Sequence, residues 1–139
     1  MVAITVVVKQ IGNRSVASRI HVLFVCSRNR WRSPTAERVF RNDNRFAVRS
    51  RGLSVRSPRQ LRDTDLIWAD IIFVMEPKHR ARILGQFRDA VGATPLHVLD
   101  IPDEYEFMDP ELVELIQDRV AWHFRDWPRC CPGESDGRR

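Results

Sequence analysis

Lysine is almost missing from this 139-residue chain: Lys9 and Lys78 are its only two, although Lys and Arg together number 23. Tyr105 is the single tyrosine, and there are three cysteines. An odd cysteine count excludes a fully paired disulfide framework. Cys130 and Cys131 are adjacent and badly placed to bridge each other. Such usage fits a reducing compartment, so the chain is expected in the cytoplasm. No segment approaches the roughly 20 consecutive apolar residues of a bilayer span, and no membrane partner is expected. The opening MVAITVVVKQ has a short apolar run without a preceding basic segment or a clear cleavage site, unlike a secretory signal. The four histidines lack metal-ligand spacing, and neither a metal nor a cofactor is expected.

What is present is arginine, within a net charge of +5. Guanidinium pairs bidentately with phosphate oxygens, which points to phosphorylated ligands or nucleic acid. Arginine-rich codon usage accounts equally well for the scattered ones. No basic ribbon interleaved with aromatics is evident, so nucleic acid is the less favoured partner.

Along the chain, strand-like and helix-like stretches alternate. Residues 1–19 read as an extension in which AITVVV has strand composition, and 128–139 as a disordered tail. Between them, residues 20–127 form one domain. RIHVLFV, DIIFVM and LHVLDI are near-continuous apolar runs, expected as strands buried on both faces, with a shorter strand at FAVRSR. Helices are expected over SPTAERVF, with Ser33 as N-cap and Pro34 in the first turn, and over 63–69. Two more follow, over EPKHRARILGQF and from Asp109 to Trp127. In the last, Leu112, Ile116, Val120, Phe124 and Trp127 share one stripe. This order implies an α/β fold: a single three-layer domain with a four-stranded parallel sheet flanked by helices. Ligands of such sheets bind beyond the carboxyl ends of the strands, where Cys26 and the stretch DIPDEYEF both fall.

Cys26 opens the stretch CSRNRWRS, a Cys-x5-Arg-Ser pattern between a buried strand and a helix start. A loop of that length curls its backbone N–H groups into one concavity and adds them to the helix dipole. The field that holds an oxyanion there also favours a thiolate over a thiol. Arg32 can add two parallel bonds to a phosphate, Ser33 can donate to the sulfur, and Asn29 tolerates the positive φ of a sharp bend. Ser27, Arg28, Arg30 and Trp31 complete the loop. Arg28, Arg30 and Trp31 suit either a substrate rim or a solvated loop surface. His79 reads as a surface or packing residue.

VLFVCSRNRWRSPTAE resembles the phosphate-binding loop of the low-molecular-weight protein tyrosine phosphatase family, in its compact bacterial form. The likeness continues through DTDLIWADIIFVMEPKHRARIL and IPDEYEFMDPELVELI, in the family's order. It implies a phosphatase/flavodoxin-like topology, with Cys26 as nucleophile, Arg32 as phosphate clamp, Ser33 supporting the sulfur and Asn29 holding the loop. Asp103 falls at the general acid, with Asp100, Glu104 and Asp109 as neighbouring candidates, and Tyr105 at an aromatic lining the mouth. The implied substrate is a phosphorylated protein, through phosphotyrosine, or another small phosphomonoester. A related thiol chemistry, arsenate reduction, needs resolving cysteines, for which only Cys130 and Cys131 remain. A third reading is a non-catalytic module that keeps the anion cradle. Two positions depart from the family: Arg28 replaces the usual glycine, and Trp31 a frequent second cysteine. Much of the segment between strands two and three is also missing.

Overall fold

The computed structural model describes residues 19–125. The expectations for the extension over 1–18, for Trp127, for the tail and for Cys130 and Cys131 lie outside them. The element order is β1 (Ile20–Cys26), α1 (Arg32–Phe40), β2 (Phe46–Gly52), α2 (Asp63–Trp68), β3 (Ile71–Val74), α3 (Pro77–Gln86), α4 (Arg88–Val91), β4 (Leu96–Val98) and α5 (Pro110–His123). All strand pairs are parallel, in the spatial order β2-β1-β3-β4. That is the doubly wound arrangement in which the first crossover runs one way from β1 and the second the other.

The two-residue period of β1 divides the core. Ile20, Val22, Phe24 and Cys26 join Ala36 of α1, Leu112, Ile116 and Val120 of α5, and Phe124 at its C-cap in one apolar layer. Leu23 and Val25 face the opposite layer, with Leu66 of α2, Ile83 of α3 and Val91 of α4. Two layers of helices on one sheet make the expected three-layer domain.

Burial on both faces holds for β1 and β3 but not for β4, which the sequence placed in the same class, nor for the shorter β2. Leu96, His97 and Val98 are all half-buried, and β2 alternates. Both are edge strands, paired on one side only. The apolar run LHVLDI regains burial after the strand ends, at Leu99 and Ile101. The helix expected through Phe87 instead breaks there and restarts as α4, closed by Gly92 at φ 53°. At α5 the Asp109 carboxylate accepts from the Glu111 N–H at 2.9 Å, with Pro110 in the first turn, as expected of that pair. Among the described residues, no helix is long and apolar enough to cross a membrane.

Candidate active site

Cys26 ends β1 and is only 3% exposed. The strand's hydrogen bonds continue past it: the N–H groups of Leu53 and Ser54 donate to the carbonyls of Cys26 and Ser27 at 3.0 and 2.7 Å. The base of the loop is therefore tied to the segment after β2, and the chain must turn sharply to reach α1 at Arg32. Asn29 takes that turn with φ 55°, in the left-handed region that Asn tolerates better than most residues. Its N–H donates to Cys26 Sγ at 3.3 Å. Its amide Nδ2 donates to Ser33 Oγ at 3.0 Å, and its Oδ1 accepts from Arg59 Nε at 3.2 Å.

Ser33 is not the N-cap. The helix begins at Arg32 with Trp31 as its cap residue, and Ser33 lies buried inside the first turn. Its hydroxyl lies 3.0 Å from Cys26 Sγ and 3.4 Å from the Arg51 carbonyl. Because Asn29 already donates to this oxygen, its single proton is free for the sulfur, the nearer acceptor once ionised. A thiolate here receives two donors. Arg28, where the resembled family usually has glycine, lies outside the positive-φ residues, so an L side chain fits without left-handed strain, and it points to solvent. Room for its backbone comes from Gly52, where an added Cβ would lie 2.8 Å from the Arg28 carbonyl carbon.

Arg32 is 2% exposed, and its partners come from the carboxyl ends of two other strands. Nη1 forms an ion pair with Glu76 just after β3 and donates to the Ile101 carbonyl beyond β4 at 2.8 Å. Nε stands 3.6 Å from Asp103 Oδ1, whose side chain is 58% exposed. Nη2 has no protein partner among the described residues. Burial raises the Glu76 pKa, but the hydrogen bond and charge of Arg32 outweigh it and hold the carboxyl below its ordinary value.

The Asp103 loop is held at both ends. Arg119 donates to the carbonyls of Leu99 and Asp100. Further along, the Met108 N–H donates to Thr35 Oγ1 of α1 at 2.9 Å. The structure thus brings Cys26, Asn29, Arg32, Ser33 and Asp103 together. Among the described residues, no hydrogen bond or ion pair joins Tyr105 to them. Its ring packs against the α5-side core and its hydroxyl donates to Glu111 at 3.2 Å. Arg28 and Arg30 are exposed, and the Arg30 guanidinium lies 5.1 Å from the Trp31 ring.

His79, read from sequence as a surface or packing residue, is 1% exposed and belongs to this network. Nδ1 accepts from the Glu76 N–H at 3.0 Å, so the neutral ring carries its proton on Nε2 and donates to Ser27 Oγ at 2.9 Å. Burial, reinforced by the charge of Arg32 and opposed by Glu76, pushes its pKa down to about 4. Glu76, His79, Thr35 and Arg59 were not singled out as site residues. Glu76 and His79 carried one usable signal: they follow β3 directly, as Cys26 follows β1, at the end of the sheet where ligands bind.

No family model and no curated protein sequence matches the chain. Solved structures do. The tyrosine phosphatase Wzb from Escherichia coli K30, in complex with phosphate, superposes with a TM-score of 0.62 at 18% identity, covering 80% of this chain and 100% of its own. A low molecular weight protein tyrosine phosphatase from Streptococcus pyogenes gives 0.61 at 17% identity over 86% and 99%. The YwlE arginine phosphatase from Geobacillus stearothermophilus gives 0.57 at 22% identity over 77% and 94%. The chain shares their fold. Its connection between β2 and β3 spans residues 53–70, and its loop carries arginine at positions 28 and 30.

Proposed function

We propose that the protein is a cysteine-dependent phosphatase of the low-molecular-weight protein tyrosine phosphatase family, hydrolysing phosphotyrosine or another small phosphomonoester. The observation that carries this reading is the sulfur's environment: Asn29 N–H and Ser33 Oγ both address Cys26 Sγ, at 3.3 and 3.0 Å, at the base of the loop that leads to Arg32. The thiolate attacks phosphorus in line, the P–O bond to the leaving group breaks, and Asp103 delivers its proton to that oxygen. Asp103, now a carboxylate, takes a proton from water, whose oxygen displaces the sulfur from the cysteinyl phosphate. Inorganic phosphate leaves and the thiolate returns. Ser33 stabilises the departing sulfur, and Arg32 spans the equatorial oxygens with the group not held by Glu76.

Neighbours of this fold are named for both tyrosine and arginine phosphatase activity, and a phosphomonoester is the reading we adopt from the Asp103 acid. The purified chain should hydrolyse an aryl phosphate and form a phosphoryl adduct on Cys26 that rapid quenching traps. Cys26→Ser should abolish turnover, and Asp103→Asn should slow it by about 10²–10⁴-fold. A folded protein inactive on several phosphoesters would sink the proposal.

A further inference from the structure

A cluster of arginines lies beside this loop, on the outer edge of the sheet. Arg49 and Arg51 project from β2 on one face, two residues apart, toward α2. With Arg59, Gln60, Arg62 and Asp65 they line a cavity of about 420 Å³. Its one carboxylate, Asp65, is shared: Oδ1 pairs with Arg49 and Oδ2 with Arg51, each at 3.1 Å. Arg59 pairs with Glu37 at 3.1 Å. Four guanidinium groups thus face two carboxylates, an excess of two positive charges.

The donors are as suggestive as the charge. Arg51 uses Nε for Asp65 and Nη1 for the Ser50 carbonyl. Arg59 uses Nε for Asn29 and Nη2 for Ser50 and Glu37. Among the described residues, Arg51 Nη2, Arg59 Nη1 and the whole Arg62 fork have no acidic or hydrogen-bonding partner. We propose that this cavity is a second oxyanion site that takes a phosphoryl group. A dianionic phosphoryl group cancels the excess charge and accepts from all three unused donors. The cavity is larger than one phosphate, so the group can arrive attached to a carrier. Arg59 joins the two sites, since the same side chain lines the cavity and holds Asn29 of the Cys26 loop. The proposal does not depend on catalysis at Cys26.

The test follows the arginine side-chain Nε–H signals of the full chain by NMR while inorganic phosphate is added, with the Arg32 signal reporting the Cys26 loop separately. The signals of Arg51 and Arg62 should shift and saturate at about millimolar phosphate. Arg62→Gln should weaken that binding at least about fivefold while leaving aryl phosphate turnover unchanged. Arg49→Lys, which keeps the charge opposite Asp65 but loses the fork, should weaken it less. Absence of saturable shifts overturns the proposal. So do equal shifts with chloride at matched ionic strength, or shifts undiminished in Arg62→Gln. A peptide with two phosphoryl groups that is hydrolysed faster than its singly phosphorylated form, with the advantage lost in Arg62→Gln, assigns the group to the substrate. Equal rates with retained shifts assign it to a free phosphate-bearing ligand. If the Arg32 signal stays unmoved and no phosphoester is turned over but the cavity shifts persist, the phosphatase reading falls and this one stands.

Discussion

Replacing Glu76 with Gln removes one negative charge from the partner of a buried arginine and keeps an oxygen that accepts from it. Arg32 is 2% exposed and Glu76 24%, so the pair is only partly shielded from water. Breaking a fully buried pair costs about 3–5 kcal/mol. Solvent at Glu76 and the Asp103 carboxylate 3.6 Å from Nε offset part of this, leaving about 2 kcal/mol. For a domain of this size, that lowers Tm by about 7–9 °C. Phosphate should reverse more of the loss in the variant than in the parent, because a dianion over Cys26 supplies the charge that Arg32 lacks. In thermal melts with and without about 10 mM phosphate, Glu76→Gln should gain about 0.5–1 kcal/mol more than wild type. The difference between the two proteins should also depend on pH. The Glu76 carboxyl titrates below its ordinary value of 4.5, so its contribution is complete above about pH 4.5 and fades as pH falls through the lower folded value. Equal phosphate stabilisation of both proteins, or a gap that persists at strongly acid pH, would refute the assignment of Glu76 as the counter-charge of Arg32.

Other perturbations probe the same framework. His79 and His123 both titrate near pH 4 in the folded protein, below the ordinary 6.5. The unfolded chain therefore binds these protons first, and stability should fall as pH drops from about 6.5 toward 4. Denaturant midpoints across that range should decline, and His79→Gln should flatten the decline; an unchanged slope counts against a buried neutral His79. At Gly52 an added Cβ would lie 2.0 Å from Ser57 Oγ and 2.8 Å from the Arg28 carbonyl carbon. Gly52→Ala should cost about 1–3 kcal/mol and displace the loop, seen as a raised KM for an aryl phosphate. Among the described residues Cys26 is the only cysteine, and Trp31 occupies a position where the family that the loop resembles often has a second one. Peroxide inactivation should therefore be only partly reversed by thiol, and full recovery would contradict this.

The two central strands and the helices over 32–40 and 110–123 were legible as uninterrupted apolar runs or 3.6-residue stripes, because burial on a defined face leaves a local pattern. The edges were not. LHVLDI and DIIFVM look alike as strings, and only the strand order β2-β1-β3-β4 makes one an edge and the other central. The same division runs through the site. Cys26, Asn29, Arg32 and Ser33 lie within eight residues of chain, and their spacing alone indicated a phosphate cradle with a positive-φ bend at Asn29. Asp103 needed its placement beyond a strand end as well.

What the sequence by itself determined is thus the local chemistry: a thiol at a strand terminus, an arginine six residues on, and an α/β alternation that aims both at one end of a sheet. Tertiary structure decided how those groups are held. Glu76 and Ile101 lie 44 and 69 residues from Arg32 along the chain, and His79 lies 52 from Ser27. Parallel pairing gathers the carboxyl ends of β1, β3 and β4 at one rim, so partners remote in sequence become neighbours. A buried guanidinium and a buried imidazole require partners, but no local pattern names which ones.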